Sequence, residues 1–208
     1  MRLILVRHGQ SLGNVERRIQ GADDPLTDLG RAQANLAGVA LASRNDITHL
    51  YASNLDRALE TASIIGHRLR LDPVPTPGLA EIHAGIAAGL LWAEWSASQS
   101  ETGIDATARF LHQWEGGESG KQLADRVLAA YDEIVTRHLG SDDVVTIVSH
   151  GGPLGWIAAR IHGDPSDIWP VDRAGFHNCS ISELVYDANG TWSIVAWNTD
   201  DHLDSLNR

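Results

Sequence analysis

The chain has 208 residues, of which 43% are hydrophobic and 21% are charged, a composition typical of one globular domain with a sizeable core. It carries 16 Lys and Arg residues against 27 Asp and Glu residues, which gives a formal net charge of −11. An acidic surface repels nucleic acid and anionic membranes, so we expect neither as a partner.

The first predicted element is a buried strand that ends in polar residues. Four branched aliphatic residues at 3–6 are typical of a strand covered on both faces. Arg7, His8 and Gly9 follow, so the strand delivers a guanidinium group and an imidazole to the carboxyl edge of a sheet, where open α/β sheets bind ligands. An imidazole beside a guanidinium group suits attack on an anionic electrophile such as a phosphoryl group.

Hydrophobic periodicity and capping residues predict the elements that follow. Residues 10–27 are a polar loop, and Thr27 is the predicted N-cap of a helix over residues 29–42. We assign the inner face of this helix to its apolar residues at helical spacing, which are Leu29, Ala32, Leu36, Val39 and Ala40. The remaining predicted elements are a strand at 49–52, a helix at 55–69, a short strand at Val74, one or two helices within 85–118, a helix at 121–138 capped by Ser119, a strand at 144–148, a helix after Pro153, and strands at 176–186 and 192–197. A turn at 187–190 predicts that the last two strands form an antiparallel hairpin.

The strand at 144–148 ends in the same way as the first strand. The residues that follow it are Ser-His-Gly-Gly and include His150 and Gly151. Two core strands that each end in His-Gly are hard to explain by packing alone. Arg57 lies in the first turn of the helix at 55–69, and a helix N-terminus favours an anion. These observations predict an anion site at the carboxyl edge of the sheet.

Further motifs accompany the two strand ends in a fixed order. They are LVRHGQS at 5–11, Asn14, QG at 20–21, PLT at 25–27, Gly30, ASNLDRA at 52–58, ETA at 60–62, EI at 81–82, GES at 117–119 and VSHGG at 148–152. The motifs span nearly the whole chain. They resemble the phosphoglycerate-mutase-like branch of the histidine phosphatase superfamily, in its cofactor-independent phosphatase type.

The resemblance implies a fold as well as a chemistry. We expect a single histidine phosphatase domain over residues 1–208, of class α/β. The central sheet would be mostly parallel, with helices on both faces and one antiparallel edge region. A helical cap formed by residues 83–118 would stand over the carboxyl edge of the sheet.

The resemblance also implies catalytic roles. His8 would attack phosphorus to form a phosphohistidine, which water then hydrolyses. Arg7, Arg57 and His150 would bind the phosphoryl oxygens, since phosphoryl transfer requires mainly positioning and charge stabilisation from the protein. These groups already supply positive charge, so we expect no metal and no cofactor. The residues expected to bind substrate are Asn14, Gln20, Gly21 and Gly151.

Glu81 matches the position of the general acid. An alcohol is a poor leaving group at neutral pH unless it is protonated as it departs. A carboxyl group that burial near the cap keeps protonated would supply this proton. The segment at 82–90 departs from the family pattern, because small residues replace an aromatic residue and a Trp-Glu-Gly group. We therefore expect a roomier or more apolar pocket wall. His83 either supplements Glu81 or is a loop histidine, and we favour the loop histidine.

We predict a phosphomonoesterase whose partner is a small-molecule phosphate ester of unspecified identity. A phosphoglycerate mutase is the alternative enzyme. Mutases of this family carry a longer insertion and further basic residues, whereas Arg109 is the only Lys or Arg at 82–118, and residues 81–83 lack a Glu-Arg pair. A catalytically weak regulator that binds a phosphorylated ligand is the alternative of another class, and only the altered segment at 82–90 favours it.

The remaining features predict ordinary structural roles. Cys179 lies in an alternating pattern and is predicted to be a core residue of a strand. Six further histidines show no paired spacing typical of a metal site, namely His67, His112, His138, His162, His177 and His202. Neither a secretory signal nor a membrane-spanning stretch is predicted, so we expect a cytoplasmic protein. A homodimer through an edge strand or through the apolar cap is compatible with the sequence.

Overall fold

The computed structural model describes residues 1–101, 110–164, 175–187 and 189–206, with backbone only at 98–101. The strands of this part of the chain are β1 (Arg2–Arg7), β2 (His49–Ala52), β3 (Val74–Pro75), β4 (Val144–Ser149), β5 (Ile181–Tyr186) and β6 (Trp192–Thr199). Its α-helices are α1 (Leu12–Glu16), α2 (Asp28–Ala42), α3 (Asp56–Leu69), α4 (Trp92–Glu101), α5 (Gly120–His138) and α6 (Gly151–His162). Short 3-10 helices lie at Pro77–Leu79, Gly85–Ala87 and Asp201–Leu206.

The strands form a six-stranded sheet with the order β3-β2-β4-β1-β5-β6. Strands β3, β2, β4 and β1 are mutually parallel, whereas β5 pairs antiparallel with β1 and β6 pairs antiparallel with β5. The predicted α/β class, the mostly parallel sheet and the antiparallel edge region are confirmed. Strands β1 and β4 run in register, with Arg7 opposite Ser149. His8 and His150 therefore leave the carboxyl edge of the sheet side by side.

Helices cover both faces of the sheet, which explains why β1 lacks polar residues in its centre. Leu3 and Leu5 pack on one face in a cluster with side chains of α5 and α6. Ile4 and Val6 point to the other face and pack with side chains of α2 and α3. All four side chains are completely buried, as the continuous aliphatic run predicts.

Two helical predictions are wrong in detail. The polar loop predicted at 10–27 contains the short helix α1, because Ser11 and Asn14 form a reciprocal capping box. The predicted inner face of α2 is wrong at two of its five residues, since Leu29 and Val39 are 41% and 47% exposed. The buried residues of this helix are Gly30, Ala34, Ala37, Gly38 and Leu41. Thr27 is the N-cap of α2 as predicted, with its side chain accepting from the Gly30 N–H.

The last third of the chain holds two further differences. Helix α6 begins at Gly151, two residues before Pro153, with His150 as its N-cap. Strand β5 begins at Ile181, so the predicted strand over 176–180 is wrong. Cys179 is completely buried, as predicted, but it lies in a turn with a φ of 56°.

The described part of the predicted cap packs against the loop that follows α1. The backbone of residues 89–92 pairs with the loop after α1, through hydrogen bonds such as Ile19 N–H to Leu90 O at 2.9 Å. Trp95 and Trp114 pack edge to face, with ring centroids 5.1 Å apart, against a small apolar cluster that includes Ile19. Arg109 lies outside the described residues. Among the described residues, no helix combines the length and apolar character needed to cross a membrane.

Candidate active site

His8 lies at the carboxyl end of β1 with only 2% of its surface exposed. Its backbone N–H donates to the Ser149 carbonyl at 2.9 Å, which holds it beside β4. The ring Nδ1 lies 2.7 Å from the carbonyl oxygen of Gly9. A carbonyl only accepts hydrogen bonds, so Nδ1 carries the hydrogen and Nε2 keeps its lone pair. A free lone pair is what nucleophilic attack requires.

Gly9 allows the loop after β1 to pack closely against α2. A side-chain carbon at Gly9 would lie 2.4 Å from the Gly30 carbonyl oxygen, too close for any other residue type. The Gly9 N–H donates to the Thr61 hydroxyl at 3.1 Å, and Thr61 donates to the Arg57 carbonyl at 2.7 Å. These contacts hold His8 and Arg57 in one rigid unit.

Burial and neighbouring charge keep His8 neutral. Burial is the main cause that holds the pKa of His8 well below its usual value, and the guanidinium groups of Arg7 and Arg57 act in the same direction. The hydrogen bond to Gly9 acts in the opposite direction. The neutral imidazole is the form that can act as a nucleophile.

Arg57 is completely buried in the first turn of α3. Its Nη1 donates to the Gly21 carbonyl at 2.8 Å. Its Nε and Nη2 are buried and have no hydrogen-bond partner among the described residues. Burial lowers the pKa of Arg57, while the nearby carboxylates of Glu81 and Asp24 raise it. The guanidinium group thus presents two unsatisfied donors.

Arg7 and His150 each present one further donor. Arg7 donates through Nη1 to the Phe176 carbonyl, while its buried Nε has no partner in the described part of the chain. His150 places Nε2 2.8 Å from the Ser53 hydroxyl, and its buried Nδ1 has no described partner. The rings of His8 and His150 are 5.0 Å apart between centroids.

Three side chains therefore converge on the His8 ring with buried nitrogen atoms that no described residue satisfies. These atoms are Arg7 Nε, Arg57 Nε, Arg57 Nη2 and His150 Nδ1. Each buried donor without a partner costs about 1–3 kcal/mol. An anion with several oxygen atoms would satisfy these donors and balance the two guanidinium charges. The arrangement is therefore suited to a phosphoryl group.

Asn14 adjoins this cluster through Asn178. The Asn14 Oδ1 accepts from the Ser11 N–H at 3.1 Å and from Asn178 Nδ2 at 3.2 Å. Asn178 Nδ2 also donates to the His8 carbonyl at 2.9 Å. The side-chain oxygen of Asn14 already accepts these hydrogen bonds. Its amide nitrogen bonds to no described residue and can donate to a ligand.

Glu81 is held against the start of α6. Its Oε1 accepts from the Ile82 N–H at 2.9 Å and its Oε2 accepts from the Gly152 N–H at 3.2 Å. Gly152 has no room for a side chain, since a Cβ there would lie 2.4 Å from Oε1. Burial lowers the pKa of both Arg7 and Arg57, and the charge of Glu81 opposes that shift at both, which places the carboxylate near the two guanidinium groups.

Arg126 of α5 holds the backbone of the segment that carries Glu81. Its Nη1 donates to the carbonyls of Gly78 and Ala80 at 3.0 and 2.7 Å, and its Nη2 donates to the Glu81 carbonyl at 2.9 Å. Glu118 accepts from Nε at 2.7 Å and from Nη2 at 2.8 Å. These hydrogen bonds lower the pKa of Glu118 although burial opposes the shift. Arg126 is thus saturated by partners that fix Glu81 in place.

A cavity of about 470 Å³ opens beside Arg57 and Glu81. Gln20 and Gly21 line it together with residues of the altered segment at 82–90, including His83. The apolar residues that line the cavity are Ala22, Leu55, Pro77, Ala80, Ile82, Ala84 and Ala88. The cavity therefore has a partly apolar lining and room for the organic part of a small ligand.

The structure brings together most of the residues that the sequence predicts. The clustered residues are Arg7, His8, Arg57, Glu81 and His150, with Asn14 adjoining them. Gln20 lies in the neighbouring cavity rather than in the cluster, and the Gly21 carbonyl binds Arg57. Gly151 is the first residue of α6, directly after His150.

Four positioning residues escaped the sequence analysis. Ser53 and Thr61 lie inside recognised motifs, so the motifs themselves are the signal that could have found them. Asn178 and Arg126 lie outside every motif and far along the chain from His8 and Glu81. No spacing rule connects them to the site, because their contacts arise only from the tertiary fold.

Comparisons with known proteins agree with this geometry. A family model described as histidine phosphatase superfamily (branch 1) matches residues 3–200. The glucosyl-3-phosphoglycerate phosphatase of Mycolicibacterium vanbaalenii is 35% identical over 212 residues, covering 96% of this chain and 92% of that protein. The probable phosphoglycerate mutase GpmB of Yersinia pestis is 34% identical over 224 residues, covering 98% and 95%. The structure of a mycobacterial glucosyl-3-phosphoglycerate phosphatase in complex with VO3 matches with a TM-score of 0.79 and 31% identity, covering 95% of this chain and 99% of that one.

Proposed function

The chain belongs to branch 1 of the histidine phosphatase superfamily, and we propose that it is a metal-independent phosphomonoesterase that acts on a small phosphorylated metabolite through a phosphohistidine on His8. The observation that carries the proposal is a set of four buried nitrogen atoms near the His8 ring that bond to no described residue. A phosphoryl group satisfies such donors and reacts with a nucleophile placed beside them.

In the first step, His8 Nε2 attacks the phosphorus atom, and the bond from phosphorus to the leaving oxygen breaks as the N–P bond forms. The ring becomes positively charged during attack, and the hydrogen bond from Nδ1 to the Gly9 carbonyl stabilises that charge. Arg7, Arg57 and His150 donate to the phosphoryl oxygens. Glu81 gives a proton to the leaving oxygen, so that the product departs as an alcohol.

In the second step, the ionised Glu81 takes a proton from a water molecule, which attacks phosphorus. The N–P bond breaks, inorganic phosphate forms and His8 returns to its neutral state. The electron pair of the broken bond goes back to Nε2, and the proton taken by Glu81 restores the acid for the next cycle. Atoms and charge therefore balance over the two steps.

His150 acts as a neutral donor in this mechanism. Its pKa lies well below the usual value, mainly because of burial and then because of the nearby guanidinium groups of Arg57 and Arg7. In this mechanism Ser53 donates its hydroxyl hydrogen to His150 Nε2 over 2.8 Å, while the Ser53 oxygen accepts from the Leu55 N–H at 3.2 Å. The neutral ring then carries its hydrogen on Nδ1, the nitrogen that lacks a partner among the described residues.

The cavity supports a substrate whose leaving alcohol has an apolar surface. The cavity lies beside Arg57 and Glu81, so a leaving group that extends away from the phosphoryl site would occupy it. The relative named glucosyl-3-phosphoglycerate phosphatase suggests phosphorylated glycerate conjugates as a first class to test. The substrate panel should therefore contain sugar phosphates and phosphoglycerate derivatives together with simple alkyl phosphates.

A phosphoglycerate mutase is the second candidate, because the relative GpmB carries that name. A mutase must hold the other anionic group of its substrate while it returns the phosphoryl group. In the described part of the cavity the cationic side chains are Arg57 and Arg126, and Arg126 is already saturated by Glu118 and three carbonyls. A saturated cation offers little to a second anion, which favours the phosphatase.

The proposal is tested by hydrolysis of an aryl phosphate in the presence of a chelator. Wild type should release phosphate, and His8→Ala should lose about 10³-fold or more of that activity because the nucleophile is gone. His67→Ala, which removes an exposed histidine of α3, serves as the matched control and should leave the rate unchanged. Full activity in His8→Ala would refute the mechanism.

The same assay separates the alternatives. Conversion of 3-phosphoglycerate to 2-phosphoglycerate that outpaces phosphate release would identify a mutase. Tight binding of inorganic phosphate without turnover of any ester would identify a regulator. Loss of wild-type activity on chelation would contradict metal-independent chemistry.

A further inference from the structure

A second cluster, of two histidines and one aspartate, lies at the amino edge of the sheet, opposite the edge that carries His8. His49 is the first residue of β2, Asp143 directly precedes β4, and His138 is the last residue of α5. Strands β2 and β4 are parallel neighbours, so their amino ends meet at one edge. The six residues of β4 separate this edge from His150 by roughly 20 Å. The cluster is therefore distinct from the candidate active site.

The three side chains approach one another closely enough to share one ion. The Asp143 Oδ2 lies 2.8 Å from His138 Nδ1, and Asp143 Oδ1 lies 3.9 Å from His49 Nδ1. One ligand atom from each residue falls within 4.8 Å of the others. Ligands on a tetrahedral zinc ion, with bonds of about 2.0–2.1 Å, lie roughly 3.3 Å apart. Side-chain adjustments of about 1 Å would therefore create this geometry.

We propose that His49, His138 and Asp143 bind a transition-metal ion of the Zn²⁺ type. Two imidazoles and a carboxylate are donors that suit Zn²⁺, Co²⁺ and Ni²⁺ better than Mg²⁺ or Ca²⁺, which prefer oxygen ligands. The metal takes the place of the hydrogen between His138 Nδ1 and Asp143, and that hydrogen moves to Nε2 of the same ring. This proposal is independent of the function proposed for the phosphate site.

Tyr51 supplies the outer contact that a metal-bound histidine usually has. Its hydroxyl oxygen lies 2.9 Å from His138 Nε2, on the far side of the ring from Asp143. When a metal occupies Nδ1, the ring hydrogen moves to Nε2 and is donated to the Tyr51 oxygen. Such a contact fixes the tautomer and the orientation of the ligating ring. Tyr51 is itself 4% exposed, so this partner is rigidly placed.

Exposure and charge allow an ion to enter the cluster. The side chains of His49 and Asp143 are 42% and 28% exposed, whereas His138 is 4% exposed and forms the floor. The rings of His49 and His138 are 4.2 Å apart between centroids. Arg137 lies 3.5 Å from the Tyr51 hydroxyl and is paired with Glu133 at 2.7 Å. Water would complete the coordination on the exposed side.

A bound ion would tie the end of α5 to the starts of β2 and β4. Ligand binding to the folded state alone raises the melting temperature as the ion concentration exceeds Kd. The same edge lies far from His8, so we expect the ion to change stability without changing the hydrolysis rate. The competing explanation is that the His138–Asp143 contact is only a structural hydrogen bond.

The test uses the full chain stripped with a chelator and then titrated with Zn²⁺ by calorimetry and with Co²⁺ by visible absorption. We expect one equivalent to bind, with cobalt bands typical of low coordination number and a rise in melting temperature. His49→Ala leaves the His138–Asp143 bond intact and should weaken Zn²⁺ binding at least tenfold. His177→Ala breaks the exposed His177–Asp200 contact of 2.9 Å and should leave the affinity unchanged.

Several results would overturn the proposal. They are an absence of stoichiometric Zn²⁺ binding, an unchanged affinity in His49→Ala, or an equal loss in His177→Ala. Binding that disappears in His8→Gln but persists in His49→Ala would assign the ion to the phosphate site and would also refute the proposal. Asp143→Asn provides a second probe, because the amide keeps the size of the side chain while it removes the negative ligand.

Discussion

Gly152→Ala tests the role of Glu81 without altering Glu81 itself. The added carbon would lie 2.4 Å from Glu81 Oε1 and 3.3 Å from Cδ. Since such contacts do not fall below 3.0 Å, the carboxyl group must shift by about 0.6 Å or more, the difference between 3.0 and 2.4. The shift breaks the bond of 3.2 Å from the Gly152 N–H. His8 and the arginines keep their own contacts, which come from other elements.

The expected loss of activity in Gly152→Ala follows from how much a general acid contributes to the rate. A positioned acid is worth about 10²–10⁴ in rate, and we expect its displacement to lower kcat/KM for an alkyl phosphate by about 10- to 100-fold. An aryl phosphate has a leaving group that departs without a proton, so its kcat/KM should change by about threefold or less. Gly152 lies in the first turn of α6 and the added carbon meets the end of a side chain rather than backbone, so unfolding would not explain the loss.

The assay compares kcat/KM for a matched pair of alkyl and aryl phosphates. Glu81→Gln should show the same pattern with a larger loss. Gly38→Ala is the control for a tight glycine replacement away from the site, because its new carbon lies in the contact between α2 and α3, 3.0 Å from the Arg68 side chain and 3.2 Å from the Ile65 backbone. An equal loss on both esters in Gly152→Ala would mean that the phosphate site itself is distorted. Unchanged rates on both esters would refute the role of Glu81 as an acid.

Three further predictions follow from the same contacts. Arg57→Lys keeps a positive charge but loses the guanidinium group, which can donate two hydrogen bonds to one anion. The inhibition constant of vanadate should therefore rise about tenfold or more, and an unchanged constant would contradict the role of Arg57. Arg126→Gln should lower kcat for an alkyl phosphate more than for an aryl phosphate, because Glu81 loses the residue that positions it. The variant should also lower the free energy of unfolding in urea by about 1–3 kcal/mol, because three carbonyls and Glu118 lose their partner. Equal losses of kcat on both esters would argue against a positioning role. His8 and His150 have pKa values well below 6.5 in the folded protein, so below about pH 6.5 the unfolded chain binds more protons than the folded chain. The free energy of unfolding should therefore decrease as the pH falls, by up to about 1.4 kcal/mol per pH unit for each histidine. Urea unfolding between pH 7 and pH 5 checks this last prediction, and a slope that His150→Gln leaves unchanged would contradict it.

The sequence predicts best where local pattern and tertiary role coincide. The apolar runs of β1 and β4 end at Arg7, His8 and His150, and both strands are central in the sheet. A central parallel strand must be apolar on both faces, so the run itself reveals the position. The carboxyl ends of such strands share one edge, which is why the cluster around His8 could be predicted.

The inner face of α2 could not be predicted from hydrophobicity. The helix packs so closely on α3 that a Cβ at Gly38 would lie 3.2 Å from the Ile65 backbone. Small residues therefore occupy the contact, while Leu29 and Val39 face solvent. Hydrophobic periodicity assigns large residues to the core, so a face built from glycine and alanine escapes it.

Other features arise only when distant segments meet. Cys179 continues an alternating pattern, yet its N–H donates to the Arg7 and His8 carbonyls at 3.0 and 3.3 Å, which turns the chain before β5 begins. Asn178 reaches His8 across 170 positions and Arg126 reaches Glu81 across 45. Likewise, His49 and His138 at the amino edge of the sheet are 89 residues apart, so sequence spacing cannot indicate that they bind the same metal ion.

The central claim is that the phosphoryl group is transferred to His8. Rapid quenching of the Glu81→Gln variant with an aryl phosphate, followed by mass spectrometry of the peptide that contains His8, tests it most directly. The loss of the base slows attack by water, so one phosphoryl group per chain should accumulate on His8 and should disappear in acid, as a P–N bond does. Steady phosphate release without any labelled His8, or a label on another residue, would contradict the account.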